Sequence, residues 1–281
     1  MDHGVAFLHG SDASFLAAID ALDAPKLEGW PFRIEGRGVP CQPDTYTARD
    51  RRVALTEGIS SFAKHLADGL DIRTGVTVAR IDGERVFLDD GASLAAPHVV
   101  LTLPVDPMAE LLPVLPELDT ARTILGWLGT VPCLALLAAY DLHAAEPRFD
   151  VLYPDDGPLQ VIVHDSSKRE RPRHRVLVLQ AGVRASRDWL ATEPQAWQAL
   201  MLAEAGRLLG SWAASPSWVA AHRWRYARFP SGAGLGAPLV IRLAGGRSVS
   251  LAGEAFDAHG GVQGAFLSGE RLARRLLAPT H

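Results

Sequence analysis

Near the start of the chain, apolar positions recur at helical spacing at Phe15, Leu16, Ile19 and Leu22, behind Ser11 or Asp12 as a cap. Pro25, Gly29, Pro31, Gly36, Gly38, Pro40 and Pro43 then break the chain into loops and short extended pieces. Ile59, Phe62, Ala63, Leu66 and Leu70 share one face of a helix over 57–70, with Gly69 near its end. Alternation predicts a strand over 72–81. Asp82-Gly83 turns it toward a second strand at 85–88, and Asp89-Asp90-Gly91 turns the chain again. HVVLTL at 98–103 is continuous and apolar, the pattern of a strand buried on both faces.

Beyond Pro104 the texture changes. Helical pieces at 106–112 and 117–125 lead to strands at 133–140, 159–164 and 176–183. Helices follow at 184–191 and 194–211, then an aromatic-rich strand at 218–229, so this region reads as a mixed sheet with helices on it. A strand at 248–253 and a helix over roughly 261–277 close the chain, which makes the fold class α/β.

Composition narrows the function classes. At 281 residues, 48% hydrophobic and 21% charged, the chain is long enough for two modest lobes and too apolar for disorder. A formal net charge of −4 argues against a general nucleic-acid binder. The one dense basic run, KRERPRHR at 168–175, contains Pro172 and precedes a strand, so it reads as a solvated loop rather than a phosphate site. Cys41 and Cys133 form no CxxC and have no His partner pattern. That fits a reducing cytoplasm and gives no disulfide framework or metal site. The longest apolar run, around 131–139, is too short for a membrane span and contains Pro132. There is no G-x-S-x-G elbow and no H-E-x-x-H, and no catalytic residue is assigned.

The strand-to-helix joint near the end carries the chemistry. It reads LAGEAFDAHGGVQGAFLSGERLARRLL, with Leu267, Leu272, Leu276 and Leu277 as a packing face and Gly260, Gly261, Gly264 and Gly269 in or beside the helix. Each interior glycine costs a helix about 1 kcal/mol relative to alanine, a cost that persists where something must approach the backbone closely. A helix start also offers free N–H groups and partial positive charge to an anionic or electron-rich ligand. Tight packing on a neighbouring strand would require the same glycines, and both readings stand here. His222, Trp224 and Tyr226 alternate along one strand face, as either an aromatic pocket wall or a half-buried packing face would. His164 and Asp165 read as a strand end with a hydrogen-bonded turn.

Seven segments in a shared order resemble the renalase-like branch of the flavin-containing amine oxidase superfamily, from end to end of the chain. They are DHGVAFLHG (2–10), LTEGISSFAKHLA (55–67), TGVTVARID (74–82), HVVLTLP (98–104), HDSSK (164–168), AHRWRYA (221–227) and GEAFDAHGGVQGAFLSG (253–269). The resemblance implies an FAD- and NAD(P)-linked oxidoreductase of two-lobed, glutathione-reductase-like fold. Its discontinuous FAD-binding lobe would span 47–103 and 246–281, and a mixed-sheet substrate lobe 1–46 and 104–245. It implies hydride transfer from a small-molecule substrate to the flavin. Gly261, Val262, Gly264 and Ala265 would lie at the ring and ribityl chain, and Glu254, where the family usually has Asp, at the ribityl or pyrophosphate region. Val76 would lie against the adenine, with His222, Trp224 and Tyr226 walling the substrate.

One departure qualifies the expectation. Such flavoproteins open with a strand, G-x-G-x-x-G and a helix, and the resemblance places those elements ahead of Met1, so the chain reads as N-terminally truncated. Gly232, Gly234 and Gly236 do not keep that spacing and are followed by Pro238 and a strand pattern, so they read as a loop. FAD binding by these residues alone is therefore expected to be weak, with a separate subunit or upstream segment supplying the phosphate site. The absent strand would lie beside 248–253 and leave it an unpaired edge. The alternative is a non-catalytic remnant acting as a scaffold or binding protein.

Overall fold

A computed structural model describes residues 1–36, 46–230 and 232–278; Gly38, Pro40, Cys41 and Pro43 lie outside the described residues. The chain divides into two compact units, Met1–Leu66 with Val131–Arg228, and Ala67–Thr130 with Phe229–His281.

The first unit is built on a six-stranded sheet in the order Trp218–Arg228, Val131–Tyr140, Arg175–Ala181, Leu159–His164, Val151–Leu152, Ile34–Glu35. All pairings are antiparallel except the last, between Val151–Leu152 and Ile34–Glu35, which is parallel. Val131–Tyr140 is apolar at nearly every position because both faces of the sheet are covered. Leu134, Leu136, Ala138 and Tyr140 pack with Trp197, Met201 and Ala205 of the Pro194–Leu209 helix. Leu137, Val161, Val163 and Val178 pack on the opposite side with Ala6, Phe7 and Trp30. Period-two alternation thus survives in which face each residue serves, while polarity no longer marks it.

A small antiparallel sheet, Leu8–Gly10, Arg51–Leu55 and Lys26–Glu28, belongs to the same unit. Beside it the helix Ala13–Ala21 is capped by Asp12, whose carboxylate accepts from the amides of Ser14 (2.8 Å) and Phe15 (3.3 Å). That helix buries Phe15 and Ile19. The helix expected over 57–70 is only Ser60–Leu66. Its intended apolar face runs out into solvent, with Leu66 43% and Leu70 63% exposed, so nothing repays extending it.

In the second unit the meander Val78–Ile81, Arg85–Leu88, Ser93–Ala95 forms with both expected turns, but 72–77 does not join the strand. The Asp82 carboxylate makes the first turn by accepting from the amides of Glu84 and Arg85. A second sheet has the order Leu239–Arg242, Ser248–Leu251, His98–Leu101, the first pair antiparallel and the second parallel. Two expectations are corrected here. Ser248–Leu251 has neighbours on both sides and no open edge. His98–Leu101 is instead the outer strand, half-exposed rather than doubly buried, with Val100 44% accessible. The core beneath combines Leu101, Met108, Leu118, Leu125, Val249, Leu251 and Phe256.

Candidate cofactor and substrate sites

The joint expected to carry chemistry is a compact structure of the second unit. After the fully buried Ser248–Leu251 strand, a short turn Glu254–Phe256 leads to Asp257 and then to the helix Gly261–Leu277. The Gly253 amide donates to Ser268 Oγ (3.1 Å), which ties the strand end to the second turn of the helix. Glu254 Oε1 accepts from the Gly261 amide at 3.3 Å, so a carboxylate already sits at the positive end of the helix. Gly260 and Gly261 have φ of +69° and +62°, a left-handed entry that other residues adopt only at a cost.

Gly264 has a different reason to be glycine. A Cβ built there would lie 3.1 Å from both Cβ and Oδ1 of Asp257, and one on Gly234 would lie 2.3 Å from the Asp257 carbonyl oxygen. Asp257 is 2% exposed, accepts from the His259 amide (2.7 Å) and is paired with Arg271. Two glycines from separate segments therefore make room for one buried aspartate. The Gly232–Gly236 stretch leads into the Leu239–Arg242 strand, as a loop would. Glu254, Gly261, Val262, Gly264 and Ala265 are brought together in the joint. Val262 and Ala265 are half-buried, and the Val262 amide has no partner among the described residues. Val76 stands outside the joint, 44% exposed, ahead of the Val78–Ile81 strand.

The aromatic face belongs to the first unit. His222 and Trp224 lie opposite Ala135 and Cys133 on the neighbouring strand, small residues that leave room above them. Their ring centroids are 4.1 Å apart. Sequence reasoning missed their partner: the His3 ring stacks on Trp224 (5.3 Å, 20°) and meets His222 edge-on at 4.8 Å. Trp224 Nε1 donates to the His3 carbonyl (3.2 Å), and Gln180 Nε2 donates to the Gly4 carbonyl (2.7 Å). Burial, and then the neighbouring His3, push the His222 imidazole below its ordinary pKa. Tyr226 lies within an irregularity of the pairing between Trp224 and Arg228, 40% exposed. A cavity of about 10 Å³ between Gly4, Phe7, Tyr153 and Gln180 has room for about one water.

The basic run at 168–175 is not a single solvated loop. Lys168 is fully buried against Asp2 (2.7 Å), Asp165 (3.1 Å) and the Ala6 carbonyl (2.6 Å). Arg169 pairs with the same two carboxylates at 2.9 Å and donates to the Thr56 carbonyl at 2.8 Å. Arg175 is buried in its strand, and only the residues between are loop. Positive charge alone marks a solvated face, and the missed signal was the pair of acids that neutralise it, Asp2 and Asp165. His164 does end its strand, and Asp165–Lys168 forms the turn. Burial by itself would raise the Asp165 carboxyl, but Lys168 and Arg169 outweigh it and hold the group below its usual range.

Residues 33–277 match the family model described as flavin containing amine oxidoreductase. The chain belongs to that family. Among solved structures, the chain is similar to a protein from Exiguobacterium sp. 255-15 assigned as a protoporphyrinogen oxidase, with TM-score 0.63 and 17% identity over 83% of this chain and 53% of that one. A triple mutant of putrescine oxidase gives 0.59 and 15% over 82% and 54%. Cyclohexylamine oxidase from Brevibacterium oxydans IH-35A gives 0.57 and 18% over 80% and 53%. At such identities the likeness is one of fold. The chain spans about half the length of these structures. A search of curated proteins finds no match. Membership implies a flavin cofactor, FAD. Among the described residues no helix is long and apolar enough to cross a membrane, and no cluster of three or more His, Cys, Asp or Glu side chains could hold a metal ion.

Proposed function

We propose that the chain carries the ring-end and substrate parts of a renalase-like, FAD-dependent oxidoreductase that takes hydride from a small reduced organic substrate. The observation that carries this reading is the joint at 253–265, where Gly260 and Gly261 open a helix in left-handed conformation with the Val262 amide unpartnered among the described residues. Gly261, Val262, Gly264 and Ala265 would face the ring and ribityl chain, Glu254 the ribityl hydroxyls, and Val76 the adenine. FAD, when bound, supplies the hydride acceptor, and the protein's part is to bind and orient it. His222 and Trp224, with Tyr226 further along, would wall the substrate. On this reading 47–103 and 246–281 serve the cofactor and 1–46 and 104–245 the substrate, in the cytoplasm.

The donor set fits the ring end and not the pyrophosphate. The sequence has no G-x-G-x-x-G, and the charged side chains just before the helix, Glu254 and Asp257, are acidic, with Arg271 already paired to Asp257. We therefore assign the phosphate loop to a segment outside these residues, on the same polypeptide or a partner subunit. The outer edge of His98–Leu101 supports this assignment, because a further parallel strand could pair with its backbone there. A scaffold without cofactor is the second reading, favoured by the Asp257 contact, which gives Gly264 a purely structural purpose.

The visible absorption spectrum decides between them. The 281-residue chain alone should be nearly colourless. The chain extended by its upstream segment, or co-expressed with a subunit carrying the glycine fingerprint, should be yellow, and denaturation should release FAD. Stoichiometric flavin in the short form would mean the phosphate site is misplaced, and no flavin in the extended form would leave the scaffold.

A further inference from the structure

Three buried charged groups in the first unit, and the partly buried Arg169 beside them, take no part in the proposed function. Asp2 is 7% exposed, Asp165 and Lys168 1% each, and the two carboxylates balance Lys168 and Arg169. The Lys168 ammonium has three acceptors, one for each of its protons: Asp2 Oδ2, Asp165 Oδ1 and the Ala6 carbonyl. The Asp2 amide donates to Asp165 Oδ1 (3.1 Å), and Asp2 Oδ1 accepts from the Ile59 amide (2.9 Å). The cluster thus fastens three segments far apart in sequence: the first residues, the 55–59 turn and the 165–169 turn.

Asp2 is directly followed by His3, whose ring covers Trp224 and whose carbonyl accepts the Trp224 indole proton, and then by Gly4, held by Gln180. A Cβ on Gly4 would come within 3.4 Å of the Trp224 ring. The strap is therefore held at both ends, by Asp2 and by the Ala6 carbonyl, with His3 between them.

We propose that the Asp2–Asp165–Lys168–Arg169 cluster is a latch that fixes residues 2–6 across the sheet, and that Lys168 and Arg169 are positioning residues for the His3 ring over Trp224 and His222. The use of that wall by a substrate rests on the proposed function; the latch does not, and its test needs neither flavin nor substrate. A latch differs from general stabilisation in what opens when it is cut. Removing one carboxylate leaves a buried cation unbalanced, which the strap can relieve by swinging out while the sheet stays closed.

Hydrogen exchange by mass spectrometry on the full chain reads this directly in Asp2→Asn. Amides of residues 2–8 and 55–59 should exchange about tenfold faster or more, while Val131–Tyr140 and Arg175–Ala181 keep their protection. In the same variant the Trp224 indole N–H resonance, assigned by Trp224→Phe, should move to a solvent-exposed position while that of Trp212 stays. Unchanged protection at 2–8, or acceleration spread evenly over the sheet, would overturn the latch. Should Asp2→Asn not fold, Asp2→Asn with Lys168→Met restores charge balance while cutting the Lys168 bonds to Asp2 and to the Ala6 carbonyl, so the strap, untied at both ends, should open locally in the same way.

Discussion

Gly264→Ala tests what the glycines of the joint are for. The added Cβ would lie 3.1 Å from Asp257 Cβ and Oδ1 and 3.4 Å from its Cγ, so the aspartate must retreat by a few tenths of an ångström. Asp257 cannot retreat freely, being paired with Arg271, bonded to the His259 amide and backed by Gly234. Overpacking of this kind costs about 1–3 kcal/mol. Alanine in place of glycine returns about 1 kcal/mol of helix propensity, so the net effect should be a loss of about 0–2 kcal/mol. In the Asp257→Gly background all three contacting atoms are gone, and Gly264→Ala should there stabilise by up to about 1 kcal/mol. Urea unfolding of the four proteins gives the cycle, with an expected coupling of about 1–3 kcal/mol. Equal effects of Gly264→Ala in both backgrounds would refute the packing argument. Gly264→Leu, with three more carbons aimed the same way, should cost at least about 3 kcal/mol. Lost flavin binding in that variant would therefore need its stability measured beside it.

The outer edge of His98–Leu101 should make the chain associate as concentration rises, and Val100→Lys should suppress this without changing the far-ultraviolet circular dichroism; a monomer at every concentration by light scattering would refute the exposed-edge argument. His164 is buried and its imidazole is pushed below its ordinary value chiefly by that burial, so the folded state resists protonation more than the unfolded one. Stability from this group is complete above the unfolded value near pH 6.5 and is lost as pH falls toward the lower folded value. The melting temperature should therefore drop from pH 7 downward, and the drop should be shallower in His164→Gln; equal slopes in the two proteins would count against it.

Local pattern determined much of this protein by itself. Asp12 as a cap, the Asp82-Gly83 turn and the 261–277 helix all depend on interactions within a few residues, and those are written in sequence order. The joint was legible for the same reason, since costly glycines in a helix start need some cause. Which cause applies at Gly264 was not legible, because it is set by Asp257 and Gly234, brought together only by folding. The 98–101 strand shows the limit of periodicity: an apolar run predicts burial, yet its neighbours in the sheet decide whether burial occurs. The same holds for Lys168 and Arg169, which look like solvent-facing charge until Asp2, some 160 residues earlier, arrives beside them. Charge balance in a buried cluster is a sum over distant residues, so only the tertiary structure could decide it.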